Sequence, residues 1–581
     1  QVYLNAVQLL TGNGGWPLNC IALPDGRPIY GGTYFPKEQW LSLLKQVTDF
    51  VAQNPEKAEE QAQLLTEGVQ ADVVDFSNTT VEAVHKLSDL DTVFANWKST
   101  IDYSRGGYEG TQKFPLPVGY QFLLNYHYLS GDKAALEAVT LTLDKMASGG
   151  IYDQIGGGFA RYSTDPDWKV PHFEKMLYDN AQLVGVYARA YQQTKNPRYK
   201  AIAVETLDFV ARELTDESGG FYASLDADSE GEEGKFYIWT KKELQDVLGK
   251  KADLILEYYN ITEEGNWEDG KNILYKTATD SEIAEHYGIS EDELIKRISA
   301  AKEKLLKARN KRVRPALDTK ILTSWNALML KAYVTAYLAF DDKKYLNAAL
   351  KNAEFIRTKV TSEAYKLYRN YTDGKATVNA FLDDYAFTIS AFMALYQATF
   401  DEKWLTEAQQ LSRYTLAHFY DEEKGMFYYT SDDDPALIAR KIEVADNVIP
   451  SANAEMAKNL FALGLYFSND DYIRKSERML NAVKQSALEG GVYYANWDVL
   501  MAWFAKVPYE VAIVGDDFEA KRKAFANRYM PDVFLSGGAT TGTLPLLENK
   551  LVPGQTTIYV CRNKTCKYPV TEVAEALKQL E

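Results

Sequence analysis

One stretch of the chain concentrates residues that could do chemistry. Between two amphipathic helical patterns, residues 149 to 181 carry Asp153, Arg161, Tyr162, Asp165, Trp168, His172 and Glu174 on a glycine-rich background. Carboxylates, a guanidinium, an imidazole and aromatic rings in one loop suit a polar cleft better than a core. His172 and Glu174 stand where a helix is expected to begin. A helix N-terminus disfavours an imidazolium, which leaves a neutral ring able to accept a proton. His172, Glu174, Asp153 and Asp228 are the catalytic candidates, with the types that general acid and base work on a glycosidic bond requires. The types that hold a polyol form a second set of substrate-binding candidates: Tyr108, Arg161, Tyr162, Trp168, Asp226, Trp325, Asn326, Asp383, Asp384 and Asn453. Arg161 is expected to fix an anionic or hydroxyl-rich ligand. Asp226 and Asp228, alternate residues of an extended segment, are expected to form an acidic wall opposite it. For Asp383, Asp384 and Asn453 the competing role is helix capping. No metal site and no cofactor is expected.

These candidates are scattered over some 350 positions, so the fold has to gather them. A repeat does this. Gly106-Gly107-Tyr108, Gly149-Gly150-Ile151-Tyr152, Gly219-Gly220-Phe221-Tyr222, Lys366-Leu367-Tyr368, Gly425-Met426-Phe427-Tyr428 and Gly490-Gly491-Val492-Tyr493 each follow one helical pattern and precede another. A glycine ending the first helix in the left-handed conformation explains the local pattern. A helical hairpin cannot bury its apolar face alone, whereas six in a closed ring can. The sequence therefore predicts an (α/α)6 toroid, with inner helices over 117–128, 173–194, 320–339, 381–399, 452–466 and 498–505 and all candidate loops at one end.

The toroid is expected over 81–506, interrupted at 231–316 by an insertion that opens with a Lys235–Trp239 strand and continues as charged helices, a lid or a solvated excursion. Residues 1–54 predict the later part of a small α/β domain, with Trp16-Pro17 a candidate cis peptide. Residues 55–80 predict a helical linker, and 507–581 a small α/β terminal domain. The chain opens without methionine, as if inside a domain.

A net charge of −17 disfavours nucleic acid and anionic membrane as partners. No apolar run approaches the roughly 20 residues of a membrane span. The expected partner is a small molecule, in particular a carbohydrate, since 40 tyrosines and 10 tryptophans exceed ordinary packing needs; oligomeric state stays open. Three cysteines fit a reducing, cytoplasmic compartment. For Cys561 and Cys566, half a zinc site, a reversible disulfide and two free thiols all remain open.

Several long motifs resemble the spermatogenesis-associated, thioredoxin-domain-containing protein family. They are Gly-Gly-Trp-Pro-Leu-Asn at 14–19, Gly-Gly-Thr-Tyr-Phe-Pro at 31–36, Val-Pro-His-Phe-Glu-Lys-Met-Leu-Tyr-Asp-Asn at 170–180, Ser-Leu-Asp-Ala-Asp-Ser-Glu-Gly at 224–231 and Leu-Thr-Ser-Trp-Asn at 322–326. The resemblance implies a thioredoxin-like domain at 1–54, without the Cys-x-x-Cys segment that family members carry upstream of the position of residue 1. It also implies a toroid similar to N-acylglucosamine 2-epimerases and six-hairpin glycosidases. Two functions follow as expectations: a carbohydrate-active hydrolase or epimerase, or a redox or protein-folding factor whose toroid is a binding module. A non-catalytic scaffold is a third. Of five histidines only His172 falls in the expected pocket, so an epimerase mechanism built on two histidines lacks its second.

Overall fold

The computed structural model describes residues 2–71, 74, 76, 84–435 and 437–580. Its contacts divide the chain into two units, Gln1–Val81 with Thr415–Glu443, and Glu82–Tyr414 with Val444–Glu581. In the first unit, helix α1 (Val2–Thr11) precedes an antiparallel hairpin of Asn19–Ala22 and Pro28–Gly32, followed by α2 (Lys37–Gln53) and α3 (Pro55–Gln70). Ala6, Val69 and Ala439 form its small core, and the Trp16-Pro17 peptide is cis.

The second unit contains the ring. Helices α4 (Leu87–Lys98), α5 (Pro117–Ser130), α6 (Lys133–Ser148), α7 (Leu177–Thr194) and α8 (Pro197–Glu213) begin it. The insertion supplies α9 (Lys241–Leu248), α10 (Ala252–Tyr258), α11 (Asp280–His286) and α12 (Glu291–Arg309). The helical pairs resume with α13 (Thr323–Phe340), α14 (Lys343–Phe355), α15 (Leu382–Thr399), α16 (Lys403–His418), α17 (Ala452–Tyr466), α18 (Asp470–Glu489) and α19 (Ala495–Ala505). Helices α5, α7, α13, α15, α17 and α19 pack each on the next, and α19 packs back on α5. The ring is closed, as a toroid requires. Its inner helices are apolar around nearly the whole circumference and buried accordingly, while the outer ones are amphipathic.

Five of the turns from inner to outer helix share one construction. The inner helix ends on a residue with positive φ, namely Gly131, Lys195, Asp341, Phe400 or Ser468. An Asp or Asn follows directly, and the side chains of Asp132, Asn196, Asp342, Asp401 and Asn469 accept from the first backbone amides of the outer helix. A left-handed residue reverses the chain and an Asx cap restarts it, so two residues make the turn.

The returns from outer to inner helix carry the glycine–aromatic motifs, and here the expectation needs correcting. After α18 a left-handed glycine, Gly491 (φ 55°), does stand directly beyond the capping residue Gly490, but the left-handed glycines of the other motifs do not cap the outer helices. Gly149 follows α6 with φ −74°, while Gly106, Gly107, Gly157, Gly158, Gly219 and Gly425 lie in turns between short bridged segments such as Ile101 with Tyr108 and Tyr152 with Phe159. Room as well as φ demands glycine at 157: a Cβ there would stand 2.4 Å from the carbonyl oxygen of Glu205. The next inner helix then pins the bridged segment. Asn180 accepts from the Phe159 amide (2.7 Å) and donates to the carbonyls of Phe159 and Met176 (3.1 and 2.9 Å). Asn326 does the same with Phe221 and Leu322 (2.7, 3.0 and 2.9 Å), and the Tyr385 hydroxyl accepts from the Leu367 amide (2.9 Å).

The insertion has a core of its own, in which Trp239, Leu244, Ile255, Leu294 and Leu305 gather with Ile155 of the long loop. Residues 235–238, expected as a strand, are a turn whose Ile238 packs with Phe173, Ala227 and Ile273. At the end of α12, Arg309 makes a two-bonded pair with Asp153 (2.8 Å each), and Lys175 completes the triad (2.8 Å). Burial alone would raise the pKa of Asp153, but Arg309 and Lys175 hold the carboxyl far below the usual range. After the ring, strands Tyr509–Val514, Val533–Gly538, Thr557–Arg562 and Thr565–Cys566 form one sheet with 509–514 central, and α20 (Phe518–Ala526) and α21 (Val573–Gln579) accompany it. Cys561 and Cys566 are disulfide-bonded across its last pair. Among the described residues no helix is long and apolar enough to cross a membrane.

Two stability outcomes follow. Asn326→Ala orphans the buried Phe221 amide and lowers unfolding free energy by about 2–4 kcal/mol in urea titration; a loss under about 1 kcal/mol would contradict the pinning role. Asp153→Ala leaves two buried cations unpaired and costs about 3–5 kcal/mol by the same measurement, and an unchanged midpoint would contradict the triad's structural part.

Candidate functional site

The six inner helices enclose a lumen, and the sequence positions facing it recur at helical spacing. On α7 they are Gln182, Gly185, Arg189 and Gln192, in register with Tyr178; on α13 Leu328, Lys331, Thr335 and Leu338, in register with Trp325; on α15 Phe387, Ser390, Ala394 and Gln397, in register with Asp383. Helix α5 adds Gln121 and Asn125, α17 adds Glu455, Lys458 and Asn459, and α19 adds Asn496 and Trp503. Several of these are half-exposed within otherwise buried helices, Trp325, Leu328 and Lys331 most regularly, because the lumen is hollow. Its main cavity measures about 280 Å³. The terminal domain closes one end through Tyr529, Met530, Pro531, Phe534 and Leu535. That floor is held by Gln192 donating to the Ala526 carbonyl (2.5 Å) and the Leu535 amide donating to Gln397 (3.2 Å).

At the opposite end, where the inner helices begin, a mouth gathers part of the predicted set. Helix α7 starts at Leu177, not at 173, so His172 and Glu174 lie in an extended segment and point the same way as alternate residues do. The expectation of a neutral His172 at a helix N-terminus therefore fails. Glu174 (Nε2–Oε2 3.6 Å) and Glu233 (Nδ1–Oε1 2.7 Å) flank the imidazole. The nearby Glu174 carboxylate chiefly, and then Glu233, raise its pKa above the ordinary 6.5 against partial burial. His172 in turn holds the Glu174 carboxyl below its ordinary value. Arg161 reaches Glu174 (3.4 Å) and lies beside Tyr178, and Tyr162 stacks on His172 with centroids 5.1 Å apart. Trp325 sets its ring edge-on to Tyr178 at 4.8 Å. Arg369 binds Asp383 and Asp384 (3.0 Å each). Asp384 accepts from the amides of Phe381 and Ser324 (2.9 and 2.8 Å), and burial, then Asp383, push its carboxyl up.

Other candidates are placed elsewhere. Asp153 belongs to the buried triad with Arg309 and Lys175. Trp168 is wholly buried and donates to the Arg105 carbonyl (3.1 Å). Tyr108 stacks between Trp97 and Tyr120, with its hydroxyl enclosed. Asn326 and Asn453 are completely buried, and the Asn326 amide is taken up by backbone. Asp226 and Asp228 are exposed. Asp228 pairs through its backbone with Glu233, so Glu233 rather than the expected acidic wall meets His172. The sequence reading looked only at loops and helix starts and so missed Arg189, Lys331, Glu455 and Lys458. The available signal was a lone cation in the middle of an apolar inner helix, as in Leu328-Met329-Leu330-Lys331-Ala332-Tyr333. In the first unit, His418, Asp432 and Asp433 lie within 4.8 Å of one another, and the His418–Asp432 hydrogen bond (2.8 Å) accounts for their closeness without an ion.

Comparison with known proteins places the chain in a family. Residues 1–70 match the Thioredox_DsbH model, described as a protein of unknown function, DUF255. Among solved structures, a cellobiose 2-epimerase from Bacillus thermoamylovorans B4167 is similar at a TM-score of 0.45 and 11% identity, over 69% of this chain and 87% of that one. A GH76 α-mannanase, BT2949 of Bacteroides thetaiotaomicron, is similar at 0.42 and 14%, over 71% and 94%. Ring closure rests on the helix packing above and not on these likenesses. The human spermatogenesis-associated protein 20 is 31% identical over 640 residues, covering 100% of this chain and 81% of that protein. The chain belongs to the spermatogenesis-associated protein 20 family.

Proposed function

We propose that the ring binds a carbohydrate in its lumen and processes it at the mouth, as a hydrolase or an epimerase would. The observation that carries this reading is the composition of the lumen. Carboxamides of Gln121, Asn125 and Asn459, hydroxyls of Ser390 and Thr335 and the ring of Trp503 face one cavity of single-sugar size. Amides and hydroxyls pair with sugar hydroxyls, and an aromatic face takes the apolar side of a pyranose. At the mouth, His172 flanked by two carboxylates that favour its protonated form is suited to donate a proton, and Arg161 and Trp325 are suited to orient the ligand. A cytoplasmic location belongs to the same reading.

A second reading is favoured by one observation, the thioredoxin-type family model matched by residues 1–70. In it the ring is a binding module and redox chemistry belongs to the thioredoxin-like domain. Among the described residues of that unit the free cysteine is Cys20, and burial pushes its thiol pKa up, away from the thiolate that exchange requires.

A thermal-shift screen of mono- and disaccharides separates the readings, since a ligand stabilises the native state by an amount that grows with the logarithm of its excess over Kd. A sugar that raises Tm in the native protein loses that effect in His172→Ala, whose unliganded Tm stays within about 2 °C because the side chain is part-exposed. No stabilising sugar, or an undiminished shift in the variant, contradicts the first reading. The His172 imidazole is expected to titrate above 6.5 when followed by NMR, and Glu174→Gln is expected to move it down. A raised folded-state pKa means the His172 pairs stabilise fully below the unfolded value near 6.5 and fade as pH rises through the folded one. A native-protein pKa at or below 6.5 would contradict the geometry.

A further inference from the structure

Inside the ring, positive charge outnumbers negative. Both oxygens of Glu455 are occupied: Oε1 accepts from Lys331 (2.9 Å), and Oε2 accepts from Lys458 and from the Asn496 amide (2.9 and 3.1 Å). Lys331 also donates to Ser390 (2.6 Å) and Lys458 to Asn496 (2.8 Å). Burial would raise the Glu455 pKa, but Lys331 and then Lys458 hold it well below the usual range, so it carries a full negative charge. One carboxylate thus faces two ammonium groups. Arg189 adds a third cation to the same cavity wall, close enough to depress the Lys331 pKa further, which burial first of all lowers to about 8.

The Arg189 guanidinium has no hydrogen-bond or ion-pair partner among the described residues; the groups that influence it are the Tyr529 hydroxyl and the already occupied Glu455. Several other enclosed cations of this unit have a carboxylate, Lys175 and Arg309 through Asp153, Lys113 through Asp102 (2.8 Å) and Arg369 through Asp383 and Asp384, whereas the buried Arg522 has the Tyr337 hydroxyl (3.0 Å) and faces no cavity of the ring lumen. On the α19 side, burial raises the carboxyl pKa of Asp446 to about 7, which leaves it less than a full countercharge at neutral pH, and burial raises that of Asp498 as well. An unmatched guanidinium facing an enclosed cavity is costly unless something anionic comes to it. The protein as a whole is strongly acidic, so the surplus is local to the lumen and not part of a general basic character.

We infer that the lumen is an oxyanion site: it binds a small molecule through a carboxylate or phosphate group seated on Arg189, with Lys331 and Lys458 alongside. A planar guanidinium pairs with either group through two parallel bonds, and the cavity of about 280 Å³ admits a ligand of single-sugar size. This inference does not need the ligand to be a carbohydrate.

Calorimetric titration of the full chain at low salt with glucose, glucuronate, glucose 6-phosphate and inorganic phosphate tests it. At least one anionic probe is expected to bind ten times more tightly than glucose or better, to weaken as chloride is added, and to lose about tenfold in Arg189→Gln while Arg189→Lys retains part of the affinity. Removing an unpartnered cation is also expected to leave the unliganded Tm of Arg189→Gln unchanged or higher. Binding of inorganic phosphate without either sugar anion supports the oxyanion site and counts against the carbohydrate reading. Glucose binding with an affinity equal to that of the anions overturns the oxyanion site and leaves the carbohydrate reading standing. Absence of binding by every anion overturns the inference whether or not a variant folds, because it is read on the native protein.

Discussion

A helix enclosed on every side can keep a charged residue only where the ring leaves space for it or where an opposite charge is built in beside it. This desolvation constraint organises the molecule. Six apolar inner helices close on one another, and many of the polar residues in them are either satisfied by neighbouring protein or turned to the lumen. Asn180, Asn326 and Asp384 are of the first kind, holding backbone that would otherwise be orphaned. Arg189, Lys331 and Lys458 are of the second. The same sorting separates what carries structure from what is available to a ligand.

The loops obey it too. Bridged turns with left-handed glycines bring aromatic residues against the ring, and the following helix fixes them through one side chain, so the segment leading into α7 has little freedom. That rigidity positions His172, Glu174 and Arg161 at the mouth. The insertion contributes from behind: Arg309 at the end of α12 clamps Asp153, and the hairpin at its entrance brings Glu233 to His172. A segment that the sequence leaves open as a solvated excursion is thus coupled electrostatically to the loop that forms the mouth.

Much of this was legible in the sequence, for physical reasons. Repeated glycine–aromatic motifs between amphipathic patterns gave six hairpins and the ring, because closure is the economical way to bury six apolar faces. The mouth was found through His172, Glu174, Arg161, Tyr162 and Trp325. Helix α7 starts four residues later than the pattern suggests because Phe173 and Met176 extend the apolar pattern into what is an extended segment, and the His172 pKa shifts in the direction opposite to the one expected with it. Asp153 and Trp168 have the composition of a site but are used in packing, a difference that only long-range partners such as Arg309 and Arg105 reveal. Lys331 and Lys458 were invisible for the converse reason: they sit in apolar helices, and nothing local says that those helices surround a cavity.

The central claim is that the lumen, and not the surface or the loops alone, receives the ligand. Its most direct test is a crystal of the full chain soaked with selenate and read by anomalous scattering, which locates a phosphate-like anion without any assumption about the natural ligand. The account predicts the strongest protein-bound peak in the lumen, within hydrogen-bond distance of the Arg189 guanidinium. An unoccupied lumen at saturating selenate, with ions held only on outer surfaces, would contradict it.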